Sequence, residues 1–185
     1  MKNTLLCAVL IALFALPATA KEVAGVNFTD TATVGGQSLT LNGVGLRRKA
    51  IFKVYVLGLY LQTPSKDAAK VIAADELKQV RMVMKRDLKK DQISEAIVNG
   101  FKANAKDTLP ALQARLDKLA AALPDLKEGQ ELTITYAPGK GTQINTSTGQ
   151  SLSLEGKDFA DALFSVWLGA EPVDGGLKDA MLGKD

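Results

Sequence analysis

Apolar and polar positions change their period several times along the chain, and the changes mark out the elements. After an unbroken apolar run at residues 5–16, residues 22–28 alternate partly, with Val23, Val26 and Phe28 apolar, and predict a strand. Residues 31–34 and 37–41 flank Gly35-Gly36, a dipeptide that allows positive φ and predicts a tight hairpin turn. Residues 46–62 are rich in Val, Ile, Phe, Tyr and Leu and read as one long strand, in which Gly58 marks a bulge or a close backbone approach. Pro64 and Ser65 open a short helix at 66–74, with Ala68, Val71 and Ile72 on one side. Residues 77–88 read as a strand whose even positions Val80, Met82 and Met84 are apolar, with Lys78 near its end.

Two helices follow. Asp91 can cap the first, whose stripe is Ile93, Ile97, Phe101 and Ala105. Pro110 sits in the first turn of the second, whose stripe is Leu112, Leu116, Leu119 and Leu123, and Pro124 stops it. Strands return at 131–137, 142–146 and 150–154. A helix at 157–168 presents Phe159, Leu163, Val166 and Trp167, with Gly169 fitted to a left-handed C-terminal position, and a last short helix covers 177–182. Blocks of strands around central helices predict an α+β chain with a largely antiparallel sheet. Internal repeats and long linkers are absent from the sequence.

The opening run reads as an address. Lys2 supplies a basic start, Leu5 to Leu16 are too few to span a bilayer, Pro17 breaks the helix, and Ala18-Thr19-Ala20 forms a small-residue cleavage site. The expectation is a signal peptide at 1–20, cleaved after Ala20, and a single exported domain at 21–185 in a bacterial periplasm. Cys7 lies inside the apolar run, which argues against a lipoprotein anchor, and no later segment is apolar for long enough to cross a membrane.

Composition removes whole classes of chemistry. The 185 residues include no histidine and one cysteine, so Ser-His-Asp and Cys-His catalytic units, Cys/His zinc sites and a disulfide framework are excluded. A net charge of +3 from 23 basic and 20 acidic residues, with the lysines scattered, is too weak for a nucleic-acid footprint. Gly139-Lys140-Gly141-Thr142 lacks the upstream glycine of a phosphate loop and reads as a hairpin turn. The acidic residues show no calcium-loop spacing, so neither a metal nor a cofactor is expected.

Candidate ligand-binding residues come from the strands. In 46–62, side chains two apart share a face, so Arg47 and Tyr55 point the same way with apolar residues between them. Such a face suits an amphipathic acid: the guanidinium grips a carboxylate in a bidentate pair, the phenol donates, and the apolar residues hold the tail. The same pattern also fits a surface on which Arg47 and its neighbouring lysines are simply solvated. Arg86 stands in line with Val80, Met82 and Met84. Burying a lone charge is costly, so Arg86 pairs with Asp87 or Asp91, faces a ligand, or sits where the strand ends and water begins. Met82 and Met84 can line an adaptable pocket or simply fill the core.

These residues together resemble a known family. Gly43-Val44-Gly45-Leu46-Arg47, followed by the run from Phe52 to Leu61, resembles the chalcone isomerase family, and more closely its exported bacterial branch. Met84-Lys85-Arg86-Asp87, Ser94-Glu95-Ala96-Ile97, Gly100-Phe101, Phe164 to Gly169, Pro172-Val173 and Leu177-Lys178 follow in order, so the likeness spans nearly the whole chain after residue 20. The resemblance implies an open-faced β-sandwich, a large curved antiparallel sheet with helices packed on it and a cleft between the layers. In plant members that cleft closes a chalcone into a flavanone; in non-catalytic members it binds fatty acids. Arg47 falls where the family places its ligand-gripping arginine, and Tyr55 where the plant enzymes use a threonine that positions a water. Ile93 stands before Ser94-Glu95 where the plant enzymes carry a tyrosine, and their asparagine falls near Gly100, with Asn99 out of register.

The first reading is therefore a periplasmic protein that binds a small amphipathic carboxylate through Arg47, Tyr55, Arg86, Met82 and Met84, without chalcone cyclisation. The second is an intramolecular lyase or isomerase acting on an unsaturated carbonyl compound, with Arg47 and Tyr55 as its catalytic pair. The third is a non-catalytic scaffold whose cleft is filled by its own side chains. None of the three involves nucleic acid or stable membrane insertion once the leader is removed.

Overall fold

Next-neighbour pairing organises the chain. In a computed structural model that describes residues 20–184, β1 (Ala20–Val23) and β2 (Val26–Thr29) form a two-stranded hairpin. A seven-stranded antiparallel sheet then runs in sequence order through β3 (Thr31–Val34), β4 (Gln37–Lys49), β5 (Phe52–Leu61), β6 (Lys78–Met84), β7 (Glu131–Ala137), β8 (Gly141–Thr146) and β9 (Ser151–Leu154). The helices α1 (Ala68–Ala73), α2 (Lys90–Asn104), α3 (Leu109–Ala122), α4 (Lys157–Leu168) and α5 (Gly175–Met181) fill the connections and the C-terminal end. The sheet curls into a half-barrel with helices against it, the open-faced α+β sandwich expected. Except for Ala20, the residues of the leader expected at 1–20 lie outside the described residues.

One face of the sheet meets the helices. Leu57, Leu59, Val80, Met82, Met84, Leu132 and Ile134 pack there against Phe101, Leu112, Leu116, Phe159, Leu163 and Trp167. The stripes read from the sequence are the faces that α2 and α3 bury, whereas α4 is buried nearly all round, with Ala160, Ala162, Phe164, Ser165 and Leu168 enclosed besides its expected stripe. The opposite face carries a smaller core of Val56, Tyr60 and Val83, closed by Phe28 of β2 and Leu39 of β4.

Several local expectations are corrected. Residues 22–28 are two strands, not one, because Ala24 and Gly25 both take positive φ and turn the chain back. Residues 46–62 are likewise not one strand. The chain reverses after Lys49, with Ala50 at φ +53°, and β4 pairs antiparallel with β5. The sequence hides this reversal, since no Gly, Pro or Asn marks it and β-rich composition continues on both sides. Gly58 is a close approach and no bulge: a Cβ there would lie 2.5 Å from the Phe28 ring. The irregularities of β4 and β5 fall instead between Leu41 and Gly43 and between Arg47 and Arg48. The helix expected at 66–74 starts at Ala68, capped by Asp67, whose Oδ1 accepts from the Ala69 and Lys70 N–H groups. Asp91 lies in the first turn of α2 rather than at its cap, where its charge still suits the helix dipole. Gly169 is extended (φ −67°, ψ −174°), not left-handed. A glycine is required there because a Cβ would meet Asn104 Oδ1 at 2.3 Å and the Ser165 carbonyl at 2.5 Å.

Lys78, expected near the end of a strand, is its first residue and is almost wholly buried. Its Nζ donates to the carbonyls of Val71 (2.8 Å), Ile72 (2.8 Å) and Ala74 (3.0 Å), and so closes the C-terminal end of α1. It also lies over the rings of Tyr136 and Phe164. Burial lowers its pKa to about 8, against the raising influence of Asp161, Asp75 and Glu76. Below that value the folded and unfolded chains both hold the proton, and the penalty for burying the charge is fully felt. Between about 8 and 10.5 the folded chain releases it first, so stability rises with pH in that window. Urea melts should show the unfolding free energy of the wild type rising relative to Lys78→Met by about 2 kcal/mol from pH 8 to 10; parallel profiles would refute this.

Candidate functional site

A cavity of about 540 Å³ opens between the sheet and helices α2 and α4. The β4–β5 hairpin supplies one wall. Arg47 lies directly opposite Tyr55 across the ladder, while Arg48 lies opposite Lys53, so Val54 is an extra residue on β5. That bulge re-aims the side chains around it. Val54 and Tyr55, although adjacent, both face the cavity, as do Lys49 and Phe52, which pair at the strand ends. Arg48 and Lys53 do not line it. Arg47 and Tyr55 therefore share a face, as expected, but as cross-strand neighbours rather than residues eight apart on one strand.

Arg47 is half-buried, and its Nε is buried without a hydrogen-bond partner. Its guanidinium carbon stands 5.6 Å from the centroid of the Tyr55 ring, a cation–π distance. Tyr55 is 6% exposed, and its hydroxyl oxygen accepts from Trp167 Nε1 at 2.9 Å. Burial pushes the phenol above its usual pKa, while the charge of Arg47 and the Trp167 donor pull it down. At neutral pH Tyr55 is a neutral phenol. Its oxygen is engaged by Trp167, and its O–H proton remains available to an acceptor beside Arg47.

Met82 and Met84 come from β6, pair with Leu57 and Tyr55 respectively, and line the cavity floor. β6 ends at Met84, so Arg86 lies beyond the strand and is exposed. It stacks over Phe52 at 4.8 Å and forms part of the cavity wall. Of the three settings weighed for it, pairing with Asp87 fails: that carboxylate takes Lys127 Nζ at 2.8 Å and the Glu128 N–H at 3.0 Å. All five residues singled out in the sequence thus line one cavity.

Helix α2 gives the facing wall. Ile93 and Ile97 are buried and line it, and Gln92, Glu95 and Asn99 form a polar rim. Gly100 is also there, but a Cβ at that position would meet Val166 Cγ1 at 2.7 Å. The glycine allows α2 and α4 to touch, and a longer side chain has no room in this packing.

Sequence reasoning missed Trp167 as a site residue, placing it only in the apolar stripe of its helix. The available signal was chemical: a buried indole N–H needs an acceptor, and Tyr55 provides one. No group of three or more His, Cys, Asp or Glu side chains gathers as a metal site among the described residues. What the geometry can do is bind: a cation and a hydroxyl donor side by side, at one end of an apolar hollow.

Comparison with known proteins agrees with this architecture. A sequence model described as chalcone isomerase-like matches residues 20–183. Among solved structures, a fatty-acid binding protein of Arabidopsis thaliana is similar, at 19% identity and a TM-score of 0.65, over 89% of this chain and 96% of that one. No curated protein matches the sequence.

Tyr55→Phe would leave the buried Trp167 N–H without its acceptor. The expected cost is about 1–3 kcal/mol in chemical denaturation, the penalty for an orphaned buried donor, with no change in fold. A variant as stable as the wild type would mean that the indole is satisfied otherwise.

Proposed function

The chain belongs to the chalcone isomerase-like family, and from that premise we propose that it binds an amphipathic carboxylate, a fatty acid or close analogue, in the cavity between sheet and helices. The observation that carries this reading is the Arg47 guanidinium, with an unpartnered buried Nε, at the edge of a hollow lined by Met82, Met84, Leu132 and Ile97. A carboxylate there takes a charge-assisted bond from Arg47 and a second from the Tyr55 O–H, and the alkyl chain displaces water from the apolar wall. The volume falls within the range of small-ligand pockets, roughly 300–1,000 Å³. The similar Arabidopsis protein, named as a fatty-acid binding protein, adds support.

The proposal includes export to the periplasm through a leader ending at Ala20, and function without chalcone cyclisation. Ile93 offers no phenol at the position before Ser94-Glu95, and Gly100 has no space for an amide side chain. One feature favours a second reading as an isomerase of a simpler enone. The Tyr55 proton lies beside a cation, the arrangement that stabilises a developing enolate.

Trp167 is the only tryptophan and lines the cavity, so its fluorescence reports occupancy. Oleate should change that emission saturably, and denaturing extraction of purified protein should release acyl carboxylates detectable by mass spectrometry. Arg47→Ala should weaken oleate binding at least about tenfold, since hydrogen bonds to charged groups contribute about 1.5–3 kcal/mol. Arg47→Lys should recover part of the affinity, because charge remains and the bidentate fork is lost. No oleate response and no extracted ligand would refute the binding reading; Arg47-dependent turnover of naringenin chalcone would replace it with the second.

A further inference from the structure

The turn between β4 and β5 carries the two exposed large apolar side chains among the described residues, Ile51 at 83% and Phe52 at 52%. Arg48, Lys49 and Lys53 flank them on the two strand ends, and Arg86 stacks on Phe52. All four cations are exposed, and among the described residues none of them is drawn into an ion pair. Glu95 and Glu171 line the same cavity as Lys49 and Arg86 without pairing with them, and the Asp174 carboxylate meets the hairpin at the Arg48 backbone. Asp174 accepts from the N–H groups of Leu177 (2.9 Å) and Arg48 (3.4 Å), and leaves the four side-chain charges unpaired.

Water-exposed apolar side chains ringed by cations are costly in solution and suit one kind of surface. Anionic headgroups take the cations while the interfacial acyl layer takes the apolar groups. A short turn offers far less than the roughly 800 Å² per side of a stable protein interface, whereas a bilayer needs no such area, since each inserted side chain adds its own partition energy. The tip is also continuous with the cavity, because Lys49, Phe52 and Arg86 belong to both. We infer that the β4–β5 tip docks on an anionic phospholipid bilayer and sets the mouth of the cavity against the lipid. The docking is peripheral; no helix of the described residues is long and apolar enough to cross a membrane.

Co-sedimentation with vesicles of phosphatidylglycerol and phosphatidylcholine in equal parts, against phosphatidylcholine alone, tests this. Ile51, Arg48 and Lys53 lie outside the cavity wall, so they can be changed without touching the ligand site. The wild type should bind the mixed vesicles and not the neutral ones, and added salt should release it. Ile51→Ser should weaken binding roughly tenfold, and Arg48→Gln with Lys53→Gln about 25-fold, on a scale of about fivefold per interfacial charge. Oleate-induced change of Trp167 emission in the absence of vesicles should stay as in the wild type. That separates the two proposals: vesicle binding without an oleate response leaves docking intact, and the reverse leaves only the cavity reading. Docking is overturned if the wild type ignores anionic vesicles, or if all variants bind them equally. It is also overturned if the tip instead drives self-association, seen as a concentration-dependent sedimentation rate that Ile51→Ser abolishes.

Discussion

A guanidinium set at the edge of an apolar hollow is a standing electrostatic demand. Water is partly withdrawn from Arg47, its Nε has no partner, and its guanidinium lies over the face of the Tyr55 ring. A π face offsets a desolvated cation by only about 2 kcal/mol, less than an anion would. The rest of the site follows from this imbalance. Tyr55 cannot relieve it by ionising, because burial holds the phenol neutral. Trp167 occupies the phenol oxygen as a donor, so what Tyr55 has left to offer is its proton. Two donors side by side call for an acceptor bearing negative charge, and the apolar walls call for a tail.

The hairpin that delivers this pair explains what the sequence could and could not reveal. Period-two reasoning placed Arg47 and Tyr55 on one face, and they are on one face, yet the strand assumed between them does not exist. Antiparallel partners share a face just as residues two apart do, so alternation survives a reversal whenever the register keeps parity. Only the turn itself could have revealed the reversal. Here Ala50 adopts the left-handed region with no glycine to mark it, and β-forming residues resume at once. The helices were far more legible. Stripes such as Leu112, Leu116 and Leu119 are buried as read, because a helix with one apolar face has one way to bury it.

Glycines and charges were harder for a different reason: their roles depend on neighbours distant in sequence. Gly100 is fixed by Val166, Gly58 by Phe28 and Gly169 by Asn104, each a contact across elements. Lys78 looked like an ordinary strand-end lysine until α1 folded over it and presented three carbonyls. Arg86 could not be assigned without knowing that β6 stops at Met84 and that Phe52 would stand beneath its guanidinium.

The β4–β5 tip gathers several poor local choices at one place. A non-glycine residue takes positive φ, an isoleucine stands in water, and four cations cluster without carboxylate side-chain partners. Stability alone would select against each, and departures of this kind concentrate where a protein meets something else. The bulge at Val54 links that tip to the site. It turns Val54 as well as Tyr55 inward, and leaves Lys49 and Phe52 at the mouth with Arg48 and Lys53 outside. One irregularity in one ladder thus separates the charges that face the cavity from those that face away. The same strand pair then serves as wall on one side and contact surface on the other. On the proposed reading, an amphipathic ligand that dissolves poorly in water gains from that arrangement, because Lys49, Phe52 and Arg86 belong both to the tip and to the cavity that holds Arg47.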